Sequence, residues 1–498
     1  MALTIPVSEI VEKSNNPLLG KAESWERVLL GDISTIQNGF AFKSAQFTRD
    51  GGMPLIRIRD VGKDASGTYY DGEYDPSYVV EAGNLLIGMD GDFNCARWRG
   101  PNGLLNQRVC RITLNSDIYH PKLLDYALPG YLKAINEKTS SVTVKHLSSK
   151  TISEIPLPLP PMEQQKLIVA EIEKQFSRLD QAVANLKRVK ANLKRYKAAV
   201  LKAAVEGKLT EKWREEQAAK LEAQGSGNAS GDRTSGAALE TAEELLKRIL
   251  AERRKKWVEV ELAKMEAKGK VPKNDKWKKK YKDPAGSDTS DLPELPEGWT
   301  WATIEQIADI QLGKMLDRQK HRTGQELPYL RNVNVRWGSV DTSDLLTMYF
   351  KDSELERYAL QADDVLVCEG GEPGRAAVWS GQVNGLMYQK ALHRVRFHTG
   401  YEQKLLVFLL EYLAKSGRLE SWFTGVTIKH FTRESFAKLP IPLAPYEEQR
   451  KIVAEVEKSL SLVCGAENQV EANLIRAERL RQSILSKAFS GQLSPVIA

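Results

Sequence analysis

Basic and amide side chains beside glycine turns are the residues of this chain that are best suited to bind a ligand. In the first half they are Arg57, Arg59, Arg97, Arg99, Gln107, Arg108, Lys145 and His146. In the second half they are Arg331, Arg336, Arg375, Gln389, Lys390, Lys429 and His430. Side chains of these types form paired hydrogen bonds with the edges of guanine and adenine, or hold phosphates. We therefore treat them as candidates for DNA binding; the alternative is solvated charge on the outer faces of strands.

Sequence motifs for catalysis are scarce. Asp75-Pro76-Ser77-Tyr78 resembles the D-P-P-Y tetrapeptide of amino-methyltransferases, but its second proline is missing and no glycine-rich cofactor loop precedes it. An ordinary turn is the favoured interpretation. The chain has no GxxxxGK[ST] nucleotide loop, and its six histidines lack metal-ligand spacing. We predict no catalytic residue and no metal site.

Composition restricts the class of protein. With 498 residues, of which 42% are hydrophobic and 28% charged, the chain predicts a soluble protein of several globular domains. The longest aliphatic run, residues 405–410, is far shorter than the ~20 apolar residues of a membrane span. The N-terminus lacks the pattern of a secretory signal, and the four cysteines form no CxxC pair. These features favour a reducing cytoplasm.

Positive charge is concentrated in one segment. Residues 242–282 carry fifteen Lys and Arg against seven Asp and Glu, a local charge of +8. Because the net charge of the whole chain is +7, the remainder sums to −1. If the globular parts bind nucleic acid, they must do so through local basic patches and not through a general positive field.

The strongest pattern is an internal repeat. Residues 142–174 match residues 426–458 at an offset of 284, and 16 of the 33 positions are identical. Upstream the match is looser and the offset drifts, as at residues 54–57 and 328–331. Each half is therefore a variable globule followed by a segment of fixed length. Candidates that recur in both halves are favoured as DNA ligands: Arg57 with Arg331, Gln107 with Gln389, and Lys145 with Lys429, each lysine followed by a histidine.

The segment of fixed length predicts a long helix in each half. Residues 162–205 contain neither glycine nor proline, Pro160-Pro161 favours a helix start, and Gly207 favours a stop. Apolar residues recur every seven positions, at Ile172, Leu179, Leu186, Leu193 and Val200. This spacing is typical of a coiled coil, in which such residues form an apolar seam along the helix. In the second long helix Asn473 and Lys487 interrupt the corresponding seam. Two core helices of one large domain are the alternative.

The segments between the long helices predict the domain organisation. We expect an N-terminal strand-rich globule over residues 1–160, a first long helix over 161–206, and a linker with a charged basic helix over 207–298. A C-terminal globule over residues 299–445, a second long helix over 446–490 and a tail over 491–498 follow. Short runs such as residues 55–61, 84–89, 108–114, 364–369 and 392–397 have strand character.

This order of elements is similar to that of the specificity subunit of Type I restriction–modification systems. The motif P-[LI]-P-L-x-P-x-E-[QE]-Q-[KR]-x-I-V-A-E-[IV]-E-K spans the predicted start of each long helix, at residues 156–174 and 440–458. The segments LPELPEGWTWATIEQIADIQLGK, VLVCEGGEPGRAAVW and QKALHRVRF of the second half resemble the same family. The resemblance covers essentially the whole chain.

The resemblance implies a fold class and a division of labour. It implies an α+β chain with two strand-rich target recognition domains in tandem, each followed by a long helix, the two helices pairing as an antiparallel coiled coil. Each domain would read one half of a bipartite, asymmetric DNA site, and the helices would space the domains and dock methyltransferase subunits. Partners would supply the chemistry, namely adenine methylation from S-adenosylmethionine and restriction by a motor–nuclease subunit that uses ATP and Mg. This chain would be non-catalytic and would bind no cofactor itself.

Two other function classes stay open at this point. The chain could be a coiled-coil protein-interaction adaptor without sequence-specific DNA reading, or an enzyme with an unrecognised active site. The basic linker, longer than a minimal connector, could bind DNA, bind a partner or only span.

Overall fold

Two antiparallel strands, Glu26–Leu29 and Pro156–Leu159, join the beginning and the end of the N-terminal globule. The computed structural model describes residues 5–14, 16–139, 145–225, 240–272, 274–316 and 323–493. Residues 226–239 of the predicted linker lie outside these residues, as do residues 142–144 of the repeat. The chain divides into two units, residues 1–189 with 469–498 and residues 190–468, called here the N-terminal and the C-terminal unit.

The N-terminal unit contains two further sheets. A four-stranded antiparallel sheet has the order Ser34–Asn38, Val109–Leu114, Leu85–Gly88, Cys95–Arg97. A five-stranded sheet has the order Phe47–Thr48, Tyr69–Tyr70, Met53–Ile56, Gly103–Leu105, Val79–Val80. The helices of this globule are Val7–Glu12, Leu30–Ile33, Pro121–Lys138 and Ser149–Ser153, and its 3-10 turns are Pro17–Leu19, Ser44–Gln46, Ile58–Asp60 and Pro76–Tyr78.

The C-terminal unit repeats this plan. The strands Thr300–Thr303 and Pro440–Leu443 join the beginning and the end of its globule. A four-stranded antiparallel sheet has the order Ala308–Leu312, Leu392–Phe397, Val365–Cys368, Ala376–Val378. Smaller sheets are Leu346–Phe350 with Gln325–Leu330 and Met387–Tyr388, and Val335–Arg336 with Ser339–Val340. The helices are Glu211–Gly225, Ala242–Glu266, Ile304–Ile307, Asp352–Tyr358, Gln403–Lys415 and Arg433–Ala437, and the 3-10 turns are Lys208–Thr210, Asp275–Lys280, Asn332–Asn334 and Arg418–Trp422.

The two long helices are Met162–Val205 and Tyr446–Phe489, which confirms the long helix predicted in each half. In the N-terminal unit the start of the first helix shares one core with the end of the second: Ile168, Ile172 and Phe176 pack with Ala488 and Phe489. In the C-terminal unit the end of the first helix shares a core with the start of the second: Val200, Leu201 and Ala204 pack with Ile452, Val453 and Val456. The helices therefore pair antiparallel.

Continuous burial explains the central predicted strands, since every residue of Leu85–Gly88 and of Val365–Cys368 is buried. Residues 392–397 form a strand over the predicted range, while the strands predicted over 84–89, 108–114 and 364–369 are one or two residues shorter in the structure. The strand predicted over 55–61 is wrong in its second half, because the strand stops at Ile56 and Ile58–Asp60 is a 3-10 turn. The helix Gln403–Lys415 ends just before Gly417, which adopts a left-handed backbone with φ of 72°.

Candidate nucleic-acid interface

Asp90, Arg108 and His146 meet on the surface of the N-terminal unit. The Nδ1 atom of His146 lies 2.6 Å from Oδ1 of Asp90, and Nε of Arg108 lies 3.5 Å from Oδ2 of Asp90. Backbone hydrogen bonds fix these positions: Met89 N–H donates to the Arg108 carbonyl at 2.9 Å, and Leu147 N–H donates to the Met89 carbonyl at 2.7 Å. The structure thus brings two predicted candidates together around a carboxylate that the sequence analysis missed.

This cluster, Asp90 with Arg108 and His146, has the chemistry to recognise base edges. The side chains of Arg108 and His146 are each about half exposed, at 52% and 43%, so both are open to a ligand. An exposed ion pair contributes roughly 1 kcal/mol or less, so Arg108 can exchange Asp90 for a ligand acceptor at little cost. A free guanidinium donates two bonds to guanine, and a carboxylate accepts from the amino group of cytosine.

The C-terminal unit builds the same backbone framework with different side chains. Glu369 N–H donates to the Ala391 carbonyl at 2.9 Å, and Phe431 N–H donates to the Glu369 carbonyl at 2.8 Å. Gly370 follows Glu369 as Asp90 follows Met89, and the His430 ring lies beside it, since a Cβ on Gly370 would be 3.4 Å from His430 Nδ1. One scaffold therefore presents a carboxylate in the first globule and none at the equivalent position in the second.

The hydrogen bonds correct one predicted pair. Phe40 forms an isolated β-bridge with Asn106, and Lys314 forms one with Gln389. The preceding glycines are equally close to these residues: a Cβ on Gly39 would lie 2.1 Å from the Asn106 carbonyl oxygen, and a Cβ on Gly313 would lie 2.2 Å from that of Gln389. Gln389 therefore corresponds to Asn106, and Lys390 to Gln107, one residue away from the predicted pairing of Gln107 with Gln389. The sequence offset misplaced them because loops of different length precede this point in the two halves.

Lys145 and Lys429 are equivalent, as predicted, and both are engaged within the protein. Lys145 Nζ donates to the carbonyl and the Oδ1 of Asn136 at 2.6 and 3.0 Å. Lys429 Nζ donates to Oε2 of Glu420 at 2.7 Å, and Glu420 is 284 residues after Asn136. Both lysines tie their loop to the end of the preceding helical segment, and this contact positions the adjacent histidines.

Arg57 and Arg331 are also equivalent and begin the same short turn. Arg57 N–H donates to Oδ2 of Asp60 at 2.9 Å, and Arg331 N–H donates to Oδ1 of Asn334 at 3.0 Å. The Arg331 guanidinium is ion-paired with Asp344 at 2.6 Å. The capping bonds explain why the strand ends here in both globules.

Arg97 and Arg375 have several partners inside their own globules. Arg97 Nε is paired with Asp125 at 2.7 Å, and its Nη1 donates to the Gly83 carbonyl at 2.7 Å. Arg375 pairs with Glu372 at 2.7 Å and donates to the Asn332 carbonyl at 2.8 Å. Each guanidinium joins neighbouring segments, so its use as a DNA ligand stays a prediction.

The remaining candidates lie on the surface. Arg59 donates to Oγ1 of Thr68 at 2.8 Å, and Gln389 is half-buried. Four others are exposed: Arg99, Gln107, Arg336 and Lys390. An exposed aromatic ring, Phe40 at 49% exposure, lies next to Asn106 in the first globule and was not among the candidates. The sequence feature that could have indicated Phe40 is the preceding Gly39, which the backbone of Asn106 approaches so closely that a side chain would not fit.

Catalytic chemistry has little support in these units. Within the described residues no group of three or more His, Cys, Asp or Glu side chains is arranged to hold a metal ion. Burial raises the pKa of the Cys110 thiol to about 12 and that of Cys368 to about 11, so neither is a thiolate near neutral pH. Asp75 caps a 3-10 turn by accepting from Ser77 N–H at 2.8 Å, an ordinary turn. No helix in the described part of the chain is long and apolar enough to cross a membrane.

Comparison with protein families settles the family. The model of the Type I restriction modification DNA specificity domain matches residues 22–195 and again residues 296–471. The chain belongs to the Type I restriction–modification DNA specificity family. The two matches cover the two repeats, each with its globule and the first part of its long helix. The family is defined by DNA specificity, in agreement with the prediction of a non-catalytic chain.

Two specificity subunits of Escherichia coli align over nearly the whole chain. The Type I restriction enzyme EcoBI specificity subunit of Escherichia coli is 32% identical over 99% of this chain and 91% of its own length. The EcoKI specificity subunit of Escherichia coli strain K12 is 22% identical over 95% of this chain and 90% of its own length. A chain from a solved structure describing complex assembly and conformational transition of the type I R-M system has a TM-score of 0.57 at 17% identity, covering 95% of this chain and 99% of that chain. This likeness confirms the α+β fold.

Proposed function

We propose that this chain is the DNA-reading subunit of a Type I restriction–modification complex, with one half of a bipartite, asymmetric site read by each globule. The observation that carries the proposal is the duplicated framework with unlike side chains. The same backbone bonds hold Met89 to Arg108 and Glu369 to Ala391, yet a carboxylate stands beside the histidine only in the first globule. A shared scaffold with different reading groups suits two different half-sites.

The candidate residues divide into two roles. Side chains that differ between the globules are suited to sequence reading; these are Asp90, Arg108 and Gln107 in the first globule and Gln389 and Lys390 in the second. Residues common to both globules perform a common task. The lysine and histidine of each Lys-His pair are identical, and the lysines make equivalent internal contacts, so these pairs position the loop or meet phosphates.

Partners supply the chemistry in this proposal. The methyltransferase subunits bring S-adenosylmethionine and modify adenine, and a motor–nuclease subunit uses ATP and Mg for restriction in the cytoplasm. The chain itself binds no cofactor and instead holds the subunits on the site. The paired long helices are the proposed docking surface, because many of their outward positions, such as Leu167, Val189, Tyr196, Leu462 and Ile475, expose apolar side chains.

The test is partner dependence. The isolated chain, incubated with labelled S-adenosylmethionine and duplex DNA, is expected to transfer no label. Coexpression with its methyltransferase subunit is expected to methylate adenines in one split sequence, which sequencing of modified bases in the host DNA would reveal. Adenine methylation by the isolated chain would contradict the proposal. Methylation without any sequence preference by the complex would favour the adaptor role instead.

A further inference from the structure

The helix Ala242–Glu266 has two different surfaces along its length. Its first part is fixed to the C-terminal globule, where Ala242, Leu245 and Ile249 are fully buried in the core. A capping box between Thr241 and Glu244 begins the helix. The cations of this part are balanced by acids; for example, Arg248 pairs with Glu240 at 2.8 Å. This part of the linker is therefore an integral element of the C-terminal unit.

The second part of the helix and the segment after it carry excess positive charge. Residues 253–272 and 274–282, called here the basic strap, contain twelve Lys and Arg against four Asp and Glu. Three of the twelve cations are ion-paired: Arg253, Lys264 and Lys278. The other nine are exposed and form no ion pair within the described residues: Arg254, Lys255, Lys256, Lys268, Lys270, Lys276, Lys279, Lys280 and Lys282.

Aromatic contacts hold the basic strap in shape. The rings of Trp257 and Trp277 stack with centroids 6.0 Å apart, and Tyr281 packs edge-on against Trp257 at 5.3 Å. Nη1 of Arg253 donates to the hydroxyl of Tyr281 at 2.9 Å, and Nη2 lies 4.0 Å from Oε1 of Glu305 in the globule. The exposed cations therefore stand on an ordered surface, which reduces the entropy cost of binding a ligand.

Three of the nine cations converge on one cleft. Lys256, Lys280 and Lys282 line a cleft of about 480 Å³, whose lining also includes Glu305, Asp309 and His398. His398 is only 4% exposed, and its Nε2 has no hydrogen-bond partner among the described residues. The buried Nε2 of His398 lies too deep to meet a ligand, whereas a phosphate oxygen in the cleft would supply an acceptor for the three lysines, which form no ion pair within the described residues.

One strand connects the cleft beside the basic strap with the candidate interface of the same unit. The strand Ala308–Leu312 runs from the cleft to Gly313, and the next residue, Lys314, bridges Gln389. Four residues of strand span roughly 13 Å at ~3.3 Å each. Duplex DNA advances ~3.4 Å per base pair, so this distance corresponds to about four base pairs.

We propose that the basic strap binds the phosphate backbone of duplex DNA next to the C-terminal half-site, without reading sequence. The proposal rests on the DNA-reading function proposed above and adds a second contact to it. Because the rest of the chain, outside residues 242–282, sums to −1, the strap supplies the long-range attraction for DNA that the globules lack. A protein partner fits less well, since lysine is depleted in protein–protein interfaces.

The test uses the full chain and random-sequence duplex DNA, so it does not require the recognition site. The strap variant combines Lys276→Gln, Lys279→Gln, Lys280→Gln and Lys282→Gln, which leaves the Lys278–Asp275 pair intact. Affinity is measured over a series of salt concentrations. The dependence of log K on log salt is expected to become shallower by about 0.9 for each phosphate that the variant no longer neutralises.

A matched control removes the same charge elsewhere. Lys187→Gln, Arg188→Gln, Lys194→Gln and Arg195→Gln change four exposed cations of the first long helix and are expected to leave the salt dependence unchanged. An unchanged slope in the strap variant, or an equal change in the control, would overturn the proposal. Normal DNA binding with weaker methyltransferase association would also overturn it and assign the strap to a protein partner. Failure of the DNA-reading function would show separately, as unselective methylation by the wild-type complex.

Discussion

The indole N–H of Trp299 donates a hydrogen bond to Oε2 of Glu448 at 2.8 Å. The first repeat forms the equivalent bond, from Trp25 to Oε1 of Gln164 at 3.1 Å. In both units a tryptophan near the entry of the globule thus fixes the first turn of a long helix. The acceptor differs, because the amide of the first repeat is replaced by a buried carboxylate in the second.

The buried carboxylate depends on one cation. Glu448 is 1% exposed, and its Oε1 accepts from Arg214 at 2.5 Å and from Thr210 at 2.6 Å. Arg214→Met is expected to lower the free energy of unfolding of this unit by about 3 kcal/mol, near the lower limit for breaking a buried ion pair, because Thr210 and Trp299 still donate. Calorimetry would measure this decrease in the free energy of unfolding.

The control for this prediction comes from the other repeat. Adding Glu448→Gln to Arg214→Met reproduces the neutral acceptor of the first repeat and is expected to restore most of the stability. A double-mutant cycle gives the coupling between the two positions. Equal and additive decreases would show that the ion pair does not matter to this helix start.

Buried His393 predicts a loss of stability in acid. Its Nε2–H donates to the Phe431 carbonyl at 2.7 Å, and burial lowers the pKa of the imidazole to about 4. An unfolded histidine has a pKa of about 6.5, so between these values only the unfolded chain takes up the proton. The free energy of unfolding is expected to fall by roughly 3 kcal/mol as pH drops from 6.5 to 4. Burial also lowers the pKa of His398, which adds a decrease in the same direction.

Matched substitutions separate the contribution of His393 from the general effect of acid. His393→Gln keeps a donor for Phe431 but does not titrate, so unfolding midpoints followed from pH 7 to pH 4 are expected to decline less steeply. His430→Gln, on the exposed loop, is expected to follow the wild-type curve. Identical slopes for all three proteins would mean that His393 is protonated without cost.

The long helices could be predicted from sequence because their signal is local. Absence of glycine and proline over residues 162–205, with a proline pair before and Gly207 after, marks both ends, and the structure has the helix Met162–Val205. The repeat likewise predicts that Arg57 and Arg331 are equivalent. Each prediction depends on a short stretch of sequence: the helix with its two ends in one case, and the matching segments 54–57 and 328–331 in the other.

Tertiary contacts decide what the sequence left open. Whether Arg97 faces DNA or Asp125 depends on how the helix Pro121–Lys138 packs, which no local pattern encodes. The same is true of Asp90, which became a candidate only when the fold placed it between Arg108 and His146. Loop length between repeats, which carries no periodic signal, is the reason that Gln107 and Gln389 were paired wrongly.

Reading by separate globules predicts separate effects of substitution. Gln389→Ala is expected to weaken recognition of the half-site read by the C-terminal globule only, by about 1–3 kcal/mol if its amide contacts a base. Arg108→Ala, in the N-terminal globule, is expected to affect the other half-site only. Methylation by the reconstituted complex, on libraries with one half-site varied at a time, measures both. Equal weakening of both halves by either variant would assign that residue to folding or to phosphate binding.

The paired helices predict how the gap between the half-sites is set, if, as the family resemblance implies, they space the two domains. Arg481 forms an ion pair with Asp180 and lies 4.3 Å from the centroid of the Phe176 ring, which fixes the antiparallel register in the N-terminal unit. Leu186 is ten residues after Phe176, and Val470 is eleven residues before Arg481, so these two positions lie at about the same level.

Inserting one heptad after Leu186 and one after Val470 keeps both apolar seams in phase and lengthens each helix by roughly 10 Å at ~1.5 Å per residue. Because DNA advances ~3.4 Å per base pair, the preferred spacer is expected to grow by about three base pairs while the half-site sequences stay the same. Methylation of a library with fixed half-sites and variable spacers measures the change. Insertions of four residues, which break the heptad phase, serve as the control and are expected to impair assembly. An unchanged spacer in a well-folded heptad variant would show that the helices do not set the distance.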